Sequence, residues 1–235
     1  MSKINDHRAA LRQRTEWIPY LAANSGLPGP RGNLELVAAC AEEADVARAE
    51  ELVATGDEFA TVCGAVALGR HLGNGDRSHV VLLHELAGDE RWRVREGVAM
   101  ALQRASDDDP DIGFELAEQW AGDADPLVRR AAVAAVCEPR LLRDPVFARR
   151  TLTILDTITA GVAATATTQR RDASVRTLRQ ALGYGWSVVI APDPDDGLPV
   201  FGRLEASTDP DLAWIVRENH KKARLQRVLA TRPAG

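Results

Sequence analysis

Apolar and polar positions alternate along this chain with a helical period, and the pattern itself repeats. The clearest apolar stretches are Val94–Leu102 (VREGVAMAL) and Val128–Val136 (VRRAAVAAV), each opened by a Val-Arg pair. The pair returns at Val175-Arg176 and Val216-Arg217, and a degenerate copy, Val62-Cys63, lies within Asp57–Leu68. Apolar residues three and four apart share one face of a helix, so each stretch predicts a helix with one side to bury. The valines are spaced 32, 34, 47 and 41 residues apart. Two helices and their turns need roughly 40 residues, so the period predicts one helix pair per repeat.

A second regularity runs in the same register. Six residues before the arginine position stands an aspartate in four copies: Asp57, Asp89, Asp123 and Asp211. An aspartate just before a helix accepts hydrogen bonds from its free N–H groups. An arginine one turn later is expected to reach an aspartate of the adjacent repeat. The fourth copy departs from the rule, with Arg170 at the aspartate position. Upstream of each copy an amphipathic first helix is expected, at about residues 34–44, 77–87, 111–121, 145–163 and 197–206. Glycine, proline and aspartate punctuate the gaps, as in Gly73–Asp76, Asp107–Pro110 and Asp193–Gly197. Residues 5–24 predict an extra helix that restarts near Pro19, and Ser25–Gly32 a loop. Only Ser187–Ala191 (SVVIA) has strand character; a lone strand has nothing to pair with, so it is assigned to a helix.

Composition narrows the picture. Aromatic residues make up 5% of the 235, so the core must be built from Ala, Val and Leu, whose small side chains let helices approach closely. The formal net charge is −5, which argues against a chain whose main task is neutralising phosphates, although a local basic patch stays open. Residues 1–8 hold no apolar stretch of signal-peptide length, and no stretch nears the roughly 20 apolar residues that span a bilayer. No membrane association is expected, and the expected compartment is the cytoplasm. Cys40, Cys63 and Cys137 are an odd number without C-x-x-C spacing, set among Ala and Val, and read as buried reduced thiols.

The motif of Asp, then Val-Arg six residues on, then an Ala/Val/Leu helix, repeated at about 40 residues, resembles the HEAT repeat. The likeness covers about residues 33–227. It implies an all-α fold, a right-handed α-α superhelix (solenoid) of about five HEAT-like repeats whose second helices line the concave side. The expected organisation is a helical extension and loop at 1–32, one repeat array at 33–230 and a tail at 231–235. HEAT repeats form scaffolds and partner-binding surfaces. The chain also has a general likeness to a bacterial branch of HEAT-like proteins that removes alkylated bases from DNA.

Two features stand out as candidate sites. W-x-V-R-E occurs twice, as Trp92, Arg93, Val94, Arg95, Glu96 and as Trp214, Ile215, Val216, Arg217, Glu218. On a helix, residues four apart share a face, so a tryptophan and a carboxylate there can hold a cationic or flat group. An alkylpurine glycosylase uses such a surface, but with Asp where this chain has Glu. A catalytic constellation is needed once, whereas a structural register recurs, so the duplication favours architecture. The second feature is a basic stripe on the last helix, Arg217, His220, Lys221, Arg224 and Arg227. It reads first as the polar cap of a final repeat without a neighbour, and second as a contact for phosphate or an acidic partner.

Other motifs are plain. The acidic runs Asp107–Asp111 and Asp193–Asp196 do not follow the calcium-loop pattern. The five histidines form no i, i+4 pair, so no metal site is expected. Residues 26–32 lack the Lys-Ser/Thr of a phosphate-binding loop, and no catalytic signature or cofactor fingerprint is present. The leading expectation is a non-enzymatic scaffold that binds a protein partner on its concave face. The alternative is a DNA-binding repair protein related to the alkylpurine glycosylases.

Overall fold

The computed structural model describes residues 3–231, so the expected tail at 231–235 lies, beyond Thr231, outside the described residues. The described residues are all-helical, with fourteen α-helices and no strand among them. They fall into two compact units, one ending at Gly113 and the other beginning at Phe114.

The first unit contains α1 (Lys3–Arg12), α2 (Ile18–Asn24), α3 (Leu34–Glu43), α4 (Val46–Ala54), α5 (Glu58–Gly73), α6 (Val80–Ala87) and α7 (Trp92–Asp108). The unit boundary cuts α8 (Pro110–Ala121). The second unit contains α9 (Pro126–Val136), α10 (Pro145–Ala164), α11 (Ala173–Ile190), α12 (Pro194–Glu205), α13 (Pro210–His220) and α14 (Ala223–Thr231). The expected first helices correspond to α3, α6, α8, α10 and α12, and the strand-like 187–190 does belong to helix α11. Helix α4 is not among the elements expected from the sequence.

Local chemistry sets the helix starts. Five begin at an Asp-Pro pair: α8, α9, α10, α12 and α13. The proline supplies a fixed helical φ where its missing N–H is not needed, and the aspartate before it accepts the free amides. Asp125 thus accepts from Leu127 N at 2.8 Å, Asp144 from Val146 N at 2.8 Å and Asp209 from Asp211 N at 2.9 Å. Of the four aspartates singled out by their spacing, only Asp57 is itself the cap, accepting from Ala60 N at 2.8 Å. Asp89 and Asp123 close the turn before the cap, accepting from Arg91 N and Asp125 N. Asp211 lies inside α13, with Asp209 as the cap.

Packing is layered within each unit. In the first, α3 and α4 lie against α5, α5 packs along α7, and α6 lies against α7. In the second, α9 and α13 flank α11, while α10 and α12 lie against α11 and α13. Within the first unit α5 thus rests on α7, and within the second α9 and α13 rest on α11. Small residues make the α5–α7 contact close: a Cβ added at Gly69 would meet Ala101 O at 2.2 Å, and one at Gly73 would meet Ala105 O at 2.7 Å. Val94, Val128 and Val175, each third in its helix, are buried. Val216 is the seventh residue of α13 and only half-buried; Ile215 beside it is fully buried, so the fifth copy is out of register with these three.

Between neighbouring layers the expected arginine–aspartate row takes a different form. Arg95 donates to Asp89 O and Glu90 O in its own turn. Crossing contacts come from Arg93 to Glu58 in the first unit and, in the second, from Arg170 to Asp209 at 2.7 Å and to Asp211. Arg170, which broke the sequence rule, therefore supplies the link with charges reversed.

Candidate functional site

Trp92 is the first residue of α7 and is 50% exposed, unusual for the largest apolar side chain. Its neighbour Arg93 holds it in place: the guanidinium lies 4.5 Å from the indole centroid. Arg93 also donates to Glu58 at 3.1 Å on α5 and to Gly29 O at 3.1 Å in the 25–32 loop, while its buried Nε has no hydrogen-bond partner. The loop is pinned at its base, where Asn33 N donates to Ser25 O at 2.8 Å and Leu27 N to Ser25 Oγ.

Loop, α3, α5 and α7 together bound a cleft of about 310 Å³. Leu34, Val37, Phe59, Val62 and Met100 give it an apolar lining beside Trp92, and Arg31, Arg93 and Glu96 add charge to it. Leu34 is 59% exposed. Gly32 lets the loop approach, since a Cβ there would meet the Phe59 ring at 3.2 Å. Three sequence candidates, Trp92, Arg93 and Glu96, thus converge on one cleft.

The second W-x-V-R-E copy does not repeat this arrangement. Trp214 is the fifth residue of α13 and packs on α11, where a Cβ at Gly183 would come within 2.8 Å of its ring. Arg179 lies 4.8 Å over that ring and pairs with the buried Asp211. Glu218 bonds Lys221 at 2.6 Å, and that bond holds its carboxyl below the usual range. Arg217 is exposed. His220 meets Glu205 at 2.7 Å and the edge of Phe201.

The continuous basic stripe expected on the last helix is broken. Helix α13 ends at His220 and α14 begins at Ala223, so Arg217 and His220 lie on one helix and Arg224 and Arg227 on the next. Lys221 and Arg224 nonetheless share a cavity of about 740 Å³ with Lys222, Arg227 and an apolar wall of Pro139, Val188, Ala191 and Pro192. Lys222 escaped the sequence reading because it lies off a stripe drawn for an unbroken helix. The apolar cleft lining escaped it because its members are far apart in sequence and each looks like ordinary core.

All three cysteines are buried. Burial raises the thiol of Cys137 to about 12 and that of Cys63 well above its ordinary value, so neither is a poised nucleophile. No group of His, Cys, Asp or Glu suited to a metal ion occurs among the described residues. No described helix is long and apolar enough to cross a membrane. Fold and site thus define a protein that is all-helical over the described residues, with an apolar, tryptophan-edged cleft in one unit and a cationic cavity in the other. No protein-family model matches the chain, and neither the curated proteins nor the solved structures contain a match.

Proposed function

We propose that this chain is a non-enzymatic, cytoplasmic HEAT-type repeat protein: a right-handed solenoid of helix pairs whose second helices line a concave face, gripping a partner protein at the Trp92 cleft. Second helix packing on second helix within each unit supports the repeat reading. The observation that carries the binding reading is the exposure of Trp92 and Leu34 at the edge of an apolar cleft. Exposed tryptophan held rigid by a stacked arginine is the kind of anchor that dominates protein interfaces.

The occupant is a segment of a partner protein that seats one large apolar side chain in the cleft and offers a carboxylate beside it. The carboxylate is assigned from Arg31, which is exposed at the cleft and makes no ion pair among the described residues. Selection of displayed random peptides on the full chain tests this. Enriched peptides are expected to pair Leu, Phe or Trp with Asp or Glu. Trp92→Ala is expected to weaken the best peptide by roughly 30-fold, the loss of one hot-spot side chain. No enrichment, or equal binding by the variant, would contradict the reading.

The alternative, a DNA-binding repair protein, has less support. The cleft is mostly apolar, whereas phosphate neutralisation needs rows of cations. Arg93 is engaged by Glu58 and Gly29. Binding of duplex DNA that Trp92→Ala or Glu96→Gln abolishes would restore it.

A further inference from the structure

The chain has three lysines, Lys3, Lys221 and Lys222, and the adjacent two line the large cavity of the second unit. Arg224 and Arg227 line it too, and no carboxylate is among its lining residues. Lys222 and Arg227 make no hydrogen bond to a carboxylate among the described residues. Lys221 is tied to Glu218, and Arg224 lies 4.8 Å from the Tyr184 ring. Glu218 offsets Lys221 and lies near Lys222, but one carboxylate beside four cations leaves a positive excess in the concavity of a chain with net charge −5, and an added anion would relieve it.

Helix capping explains only half of the cluster. Lys221 and Lys222 follow the C-terminus of α13, where the helix dipole favours cations. Arg224 is the second residue of α14, where the dipole opposes them. Arg224 is held there by Tyr184, whose ring it overlies and to whose hydroxyl it donates at 3.1 Å, whereas Lys222 and Arg227 make no side-chain hydrogen bond among the described residues, so these two carry the case for a ligand. The concavity holds about 740 Å³, within the range of small-molecule sites. Four cations are few for a duplex, and the wall of Val188, Ala191 and Pro192 offers nothing to a bare ion.

We propose that this cavity binds a phosphorylated small molecule, its phosphates on Lys221, Lys222, Arg224 and Arg227 and its organic part against Ala191 and Pro192. Arginine and lysine give phosphate charge-assisted hydrogen bonds, about twice as strong as neutral ones.

Isothermal titration of the full chain at low ionic strength tests it, with inorganic phosphate, pyrophosphate and ADP as probes. Pyrophosphate and ADP are expected to bind, ADP more tightly, and both more weakly as salt rises. The Lys222→Gln/Arg227→Gln variant is expected to lose at least about tenfold in affinity, the loss of two charge-assisted bonds. Arg217→Gln, an exposed cation outside the cavity, should bind as the wild type does. A second readout needs no variant: pyrophosphate should slow acetylation of Lys221 and Lys222, read by peptide mass, and leave Lys3 unaffected. Absence of binding, equal weakening by Arg217→Gln, uniform lysine protection, or binding of duplex DNA alone would each overturn the proposal.

Discussion

Asn219 has no exposed surface and makes buried hydrogen bonds that join α13 to α11. Its Oδ1 accepts from Ser187 N at 2.8 Å, and its Nδ2 donates to Leu182 O at 2.8 Å and Ile215 O at 2.9 Å. A buried amide is tolerable only when paired, and here each atom is. Asn219→Ala is expected to remove this bridge between the two helices and to cost about 1–3 kcal/mol in denaturant unfolding. An unchanged midpoint would mean that α13 does not depend on this bridge. Nothing in the sequence marked Asn219, because its partners are 32 and 37 residues away. The same limit explains the tryptophans. Trp92 and Trp214 share a motif, but Gly183 makes a seat for the second and the first is left at an open edge. Spacing shows which residues share a helix face; it does not show what lies opposite.

Two elements carry predictions of their own. Helix α5 touches α7 almost backbone to backbone at Gly69. Gly69→Ala is therefore expected to destabilise the chain by about 1–3 kcal/mol, the usual penalty for overpacking, although alanine is the better helix former. A stabilised variant in thermal melts would contradict the close contact. Helix α1 is fastened to α3 by Arg8 and Arg12, both 2.6 Å from Glu43. The hydrogen bond from Arg12, outweighing partial burial, holds the Glu43 carboxyl below its ordinary value. Its folded-state pKa is thus depressed, so its contribution is complete above the usual carboxylate range and is lost as pH falls through the folded value. Melts of wild type and Glu43→Gln should differ at neutral pH and converge under acid; a constant gap would show the fastening to be idle. The helices themselves were largely legible. Proline and aspartate punctuation and Ala/Val/Leu periodicity mark α8 and α10 to within a residue and α9 to within two. The break between α13 and α14 was not, because neither Gly nor Pro marks Lys221-Lys222 and the charges continue across it.

At the scale of the whole molecule, the first unit carries the apolar Trp92 cleft and the second the cationic cavity. The valines at 94, 128 and 175 were visible as core positions because each is buried at the third place of its helix, where an apolar side chain is needed. Which layer presents a site was not, since that depends on where a loop such as 25–32 closes over a helix start. A partner segment is proposed to seat at Trp92. The most direct measurement is a backbone-amide NMR titration of the full chain with the best display-selected peptide. Shift changes are expected at residues 29–37, 58–62 and 92–100 and nowhere in the second unit. Changes centred on α13 and α14, or none at saturating peptide, would contradict it.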